Sequence, residues 1–143
     1  MLIKSHGLVA LMILTITPIP VNALQIADYK RSDSFHKHLE IRSGEYRVKI
    51  IESTVQAPKT GTGSYWGGRG KTVNAVANLS IRRANEPIAV PRSSFADLSN
   101  VNQLKLAKIR NGVTVRIEGG DASEGYYAII TVIDGAVVKR SVH

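Results

Sequence analysis

The sequence predicts an all-β protein: a single antiparallel β-sandwich or small barrel of about six to eight strands. Three observations carry that expectation. Apolar and polar residues alternate through several short segments, the period of a half-buried strand. Turns rich in glycine, proline and asparagine separate those segments. No stretch keeps a helical period for long, and the one helical element expected is a short turn near 93–98.

The elements follow in chain order. Residues 1–23 have the pattern of a secretory signal peptide. Lys4 supplies the positive charge, Gly7 to Ile16 the apolar run, Pro18 and Pro20 the breaker, and Val21-Asn22-Ala23 the small-residue exit. The apolar run is about half of the roughly 20 residues a membrane span requires. Residues 24–37 form a polar leader in which Phe35 is a candidate anchor, and a β domain is expected over 38–143. Leu39-Glu40-Ile41 begins the alternation and Ser43-Gly44 interrupts it. Tyr46, Val48 and Ile50 then share one face of a strand, with Arg47 and Lys49 on the other.

Ala57 to Lys71 is a long glycine-rich loop with Tyr65-Trp66 at its centre. In the strand after it, Val73, Ala75, Ala77, Leu79 and Ile81 are expected on one face, away from Asn74, Asn78 and Ser80. Asn85-Glu86-Pro87 reads as a turn, and Ile88-Ala89-Val90 as a short strand stopped by Pro91. A serine of Ser93-Ser94 can cap the helical turn, with Asn100 as its C-terminal cap. Asn111-Gly112 is a strong two-residue hairpin signal, and Asp134-Gly135 is a second. Between them, Tyr126 to Ile133 is apolar enough to be buried on both faces.

Composition narrows the function. Without residues 1–23 the chain keeps 120 of its 143 residues, enough for one domain with a core of its own. It has no cysteine, which excludes thiol catalysis, thiolate metal sites and disulfides. Lys4 leaves with the signal, so 18 basic side chains remain against 11 acidic ones. Such a surface attracts anionic partners: an acidic glycan, a lipid head group or an acidic protein. The same charge also serves plain solubility, because it is spread along the chain.

The best candidate ligand-binding patch is Tyr65, Trp66, Arg69 and Lys71, where aromatics and cations share one loop. The alternative is that Trp66 folds back and plugs the open end of the sandwich. Gly70-Lys71-Thr72 ends like a phosphate-binding loop, but Tyr65 stands where that motif wants glycine, and a strand follows where it wants a helix. Glu118, Asp121 and Glu124 are the one acidic cluster and a candidate calcium site, although their spacing matches no standard loop. His36 and His38 have the i, i+2 spacing of two metal ligands on a strand, with His143 as a third supplier. Asn78-Leu79-Ser80 fits the acceptor pattern for N-glycosylation.

These residues point to an exported, periplasmic or secreted, basic β domain that works by binding a protein or an anionic polymer. A structural component of a cell-envelope assembly is the alternative. An enzyme is a further one, disfavoured because His36, His38 and His143 lie near the chain ends and Ser93-Ser94 has no evident base partner. No cofactor is implied and no catalytic residue is assigned.

Overall fold

The computed structural model describes residues 25–26, 36–56, 65–68, 70–120 and 123–143. Residues 1–24, Phe35, Arg69 and Asp121 lie outside the described residues. Nine strands are present among them: β1 (Gln25–Ile26), β2 (His36–Ser43), β3 (Tyr46–Gln56), β4 (Thr72–Arg83), β5 (Glu86–Ile88), β6 (Val101–Ile109), β7 (Gly112–Gly119), β8 (Tyr126–Ile133) and β9 (Ala136–Val142). One antiparallel sheet is ordered β2-β3-β4-β5. The other is β6-β7-β8-β9, extended at its β6 edge by the two residues of β1. No ladder joins the sheets among the described residues, so the architecture is a sandwich and not a closed barrel. Two details differ from expectation. Gln25 and Ile26 of the leader pair with Leu106 and Lys105, and β2 begins two residues early, at His36.

Alternation builds the core. Leu39, Ile41, Val48, Ile50, Leu79 and Ile81 from one sheet meet Leu104, Leu106, Val115, Ile117, Ala128 and Ile130 from the other. Each of these strands turns every second residue inward, and the intervening residues face solvent. Strand β8 therefore buries only one face: Tyr126, Ala128, Ile130 and Val132 enter the core, while Tyr127, Ile129, Thr131 and Ile133 stay half-buried. A sheet in a two-layer sandwich has only one inner face, and the apolar run does not register that.

Strand β4 departs from simple alternation. Ile51 lies opposite Asn78 but Glu52 lies opposite Val76, so Ala77 is an unpaired bulge residue. The extra residue shifts the phase. Val76 joins the core, Ala77 is exposed, and Val73 and Ala75 are buried outside the core cluster. The expected inward position of Ala77 is thus corrected by a bulge that no local pattern marks.

The hairpin turns gather at one end of the sandwich. They are Gly44–Glu45, Ala84–Asn85, Arg110–Asn111 and Asp134–Gly135. Ala84 N–H donates to Glu45 O at 2.8 Å, and Asp134 N–H to Asn111 O at 2.9 Å. Both residues of Ala84–Asn85 and of Asp134–Gly135 have positive φ, the requirement of a type I′ hairpin. The first of these turns lies one residue earlier than expected, and Glu86-Pro87 belongs to β5. Asn111-Gly112 is shifted too. Gly112 is already in β7, opposite Ile109, and its φ is not positive. It is glycine because a Cβ there would lie 1.8 Å from Val132 O. The helical turn is a 3-10 turn over Arg92–Ser94, with Pro91 at its N-cap and no side-chain cap, so no serine fills that role.

Candidate functional site at the loop end

The opposite end of the sandwich is built from segments 65–68, 98–100, 120 and 124–125 and the strand ends at Val101, Gly119 and Tyr126, with His143 beside them. Its foundation is an acid in the core. Glu52 continues the inward series of Tyr46, Val48 and Ile50 on β3 and is only 1% exposed. Its Oε1 accepts the Val101 N–H at 2.7 Å across the sandwich. Lys37 Nζ, on β2, stands 3.7 Å from Glu52 Oε2 and donates to the Val101 carbonyl. An acid and a base from one sheet thus grip both polar backbone groups of a single residue in the other. Val101 pairs with Gly119 beside the bulge at Asn102 in the β6–β7 ladder, and its own backbone N–H and carbonyl are met by side chains. Burial pushes the Glu52 carboxyl above its ordinary range, against the Val101 N–H and Lys37, which pull it down.

On this clasp rests the segment before β6. Asn100 has a φ of 49°, and its backbone N–H donates to Asn74 O at 2.8 Å. Its side chain accepts the Asn74 N–H at 3.2 Å and donates to Gly67 O at 2.7 Å. Asparagine tolerates the left-handed region and has the amide to exploit it. The Tyr126 hydroxyl donates to Ser99 O at 2.9 Å, and burial raises its pKa well above the phenol range. The polar groups of this end that burial perturbs are therefore engaged with backbone and sealed from solvent.

Trp66 is fastened to the same segment by its backbone. Its N–H donates to Asp97 O at 2.7 Å, and its carbonyl accepts the Ser99 N–H at 3.1 Å and the Ser99 hydroxyl at 2.8 Å. Gly67 follows with φ 81°, pressed so close that a Cβ would lie 2.5 Å from the Tyr126 ring and 2.8 Å from the Gly120 backbone. Asp97 is itself held by Arg140 of β9 at 2.5 Å. The backbone at Trp66 is pinned on several sides, while its side chain stays 45% exposed. Trp66 is therefore partly open to solvent and is not part of the buried core.

Beside the indole lies a cleft of about 290 Å³ lined by Tyr65, Trp66, Gly67, Glu124, Gly125, Tyr126 and His143. The His143 ring stacks on Tyr127 at 4.9 Å, and the Arg116 guanidinium lies over the Tyr127 ring, 4.1 Å from its centroid. Aromatic faces, a carboxylate and an imidazole thus meet at one opening. That combination can stack a ring and hydrogen-bond its substituents.

The expected patch is only partly assembled here. Tyr65 and Trp66 line the cleft. Lys71 is exposed ahead of β4 and does not line it, and Arg69 lies outside the described residues. Of the acidic cluster, Asp121 lies outside the described residues. Glu118 is taken by Lys105 and Arg116, each at 2.7 Å, and the Lys105 bond holds its carboxyl below the usual carboxylate range. Glu124 belongs to the cleft. His38 is on β2, whereas His143 pairs with Tyr127 beside β8. No group of three metal-ligating side chains occurs among the described residues. Thr72 opens β4, so a strand follows Gly70-Lys71. Asn78 is exposed next to the bulge.

Sequence reasoning missed Glu52, Lys37, Ser99, Asn100 and Tyr126. Only Glu52 left a signal: an acid in phase with three apolar residues on an otherwise regular strand. No family model, curated protein or solved structure matches this chain.

Proposed function

We propose that this chain is an exported binding domain whose contact surface is the Tyr65–Trp66 cleft at the loop end. The observation that supports it most is the half-exposed indole of Trp66 on a backbone held by three hydrogen bonds. A large aromatic whose position is fixed before contact loses little conformational freedom on binding, which is why tryptophan and tyrosine dominate interface energetics. The cleft is at the lower limit of small-molecule sites, and it suits one side chain of a protein partner. Tyr65 and His143 give that side chain apolar walls, and Glu124 gives it a polar rim. Export is part of the proposal, and it rests on the charge, apolar run and small-residue exit of residues 1–23.

The test is co-purification with the tagged full chain from an exporting host, using wild type, Trp66→Phe and Trp66→Ala. The proposal expects a partner retained by wild type and Trp66→Phe and lost with Trp66→Ala. A Trp66→Ala protein with an unchanged Tm and an unchanged partner set contradicts it.

A further inference from the structure

The outer face of the β2-β3-β4-β5 sheet carries an arrangement that folding alone disfavours. Arg42 of β2 is directly opposite Arg47 of β3, and Arg47 is directly opposite Arg82 of β4. Their neighbours Ile41, Val48 and Ile81 are in the core, so all three arginines share the solvent face. Like charges directly opposite one another on adjacent strands are destabilising. Strands lie about 4.8 Å apart, so the row spans about 10 Å across the sheet. Lys49 stands one row further along the same face, opposite Glu40 and Ser80.

Among the described residues, one carboxylate serves this face. Glu40 receives Arg47 through Nε and Nη2, both at 2.9 Å, and Arg42 through Nε at 3.1 Å. The Arg47 bond holds the Glu40 carboxyl below its ordinary range. Arg82 turns its guanidinium to the Asn85 carbonyl, at 2.9 and 2.6 Å, which fixes its position and leaves its charge uncompensated by that neutral group. Among the described residues four cations therefore face a single acid, and the three arginines are held in place by hydrogen bonds to Glu40 and to the Asn85 carbonyl.

We infer that this face binds an acidic polysaccharide whose carboxylate or sulfate groups lie along the Arg42–Arg47–Arg82 row, with Lys49 at its side. A linear polyanion meets a cation at each strand along this row, and guanidinium forks match carboxylate and sulfate geometry. The adjoining Lys49, Ser80 and Glu40 offer a polar floor, which favours a hydrated polymer over a lipid surface that would want apolar anchors. The like-charge register is the kind of local cost that persists where a surface serves binding. This surface is separate from the Trp66 cleft, which lies at the other end of the sandwich.

The test is titration of the full chain with fluorescein-labelled heparin, alongside duplex DNA and phosphatidylglycerol vesicles. An Arg42→Gln, Lys49→Gln, Arg82→Gln variant is compared with a Lys108→Gln, Arg110→Gln, Lys139→Gln variant that loses the same charge elsewhere. The first is expected to weaken heparin binding about tenfold or more and to lower the slope of log K against log salt by about two to three. The second is expected to change it less than about threefold. Trp66→Ala is expected to leave heparin affinity unchanged, which separates this site from the cleft. Equal losses in the two triple variants overturn the inference, as does binding of DNA or vesicles as tight as that of heparin. A thermal melt of each variant confirms that loss of binding is not loss of fold.

Discussion

The two ends of the sandwich are held by different physics. At the hairpin end each turn joins two strands that are already paired, and its geometry is set by its own two residues. Ala84–Asn85 and Asp134–Gly135 adopt the mirror-image turn because both residues take positive φ. At the loop end the bonds join residues far apart in sequence: Lys37 to Val101, Glu52 to Val101, Asn100 to Gly67 and Tyr126 to Ser99. The hairpin end is built from four two-residue turns, two of which share the mirror-image geometry, and single backbone bonds tie Ala84 to Glu45 and Asp134 to Asn111. The loop end is global, and it fixes one exposed aromatic that the rest of the chain converges to hold.

The largest expected effect breaks the loop end at its foundation. Glu52→Ala strands the buried Val101 N–H and removes the carboxylate beside Lys37, and is expected to cost about 3 kcal/mol or more. For a domain of this size, Tm falls by about 10 °C or more. A melt within about 2 °C of wild type counts against the clasp.

Next comes one substitution made at both ends. Gly67→Ala must take a positive φ and also meet the Tyr126 ring and the Gly120 backbone. Gly135→Ala has positive φ but nothing within 4 Å of its new Cβ. The hairpin variant is expected to lose about 1 kcal/mol, and the loop-end variant about 3 kcal/mol. Urea unfolding measures both, and equal losses would erase the distinction between the ends.

A smaller effect separates the carboxylates by pH. Glu40 and Glu118 are held below their ordinary value of 4.5, so the stability they contribute is present above that pH and lost as pH falls below it. Glu52 is raised above 4.5, so its contribution is complete below that value and declines as pH rises through its folded-state pKa. The urea midpoint is therefore expected to peak in mildly acidic buffer. Glu52→Gln is expected to flatten the decline on the alkaline side and leave the acid limb in place. An unchanged alkaline limb in that variant shows that Glu52 does not titrate there.

The same contrast explains what the sequence made legible. Alternation in Tyr46–Ile50 and in Val113–Ile117, together with the Asp134-Gly135 turn, is local, and it predicts an antiparallel β domain without further help. Turn positions slip by one residue at Ala84–Asn85 and at Arg110–Asn111, because the register across the ladder decides where a turn falls. The Ala77 bulge depends on the register with β3, and the single buried face of β8 on a second sheet, neither of which a local segment encodes. The aromatics of the candidate site are legible as residue types in a glycine-rich loop. Their exposure is not, since it depends on Ser99, Asn100 and Tyr126, none of which lies within thirty residues of Trp66 in the chain.

Trp66 is the only tryptophan in the chain, so its fluorescence reads the loop end directly. Time-resolved anisotropy combined with iodide quenching tests whether a fixed backbone presents an accessible indole. The account predicts depolarisation at the overall tumbling rate and quenching about half that of free tryptophan, in line with 45% exposure. Rapid local depolarisation, or an indole closed to iodide, would contradict it.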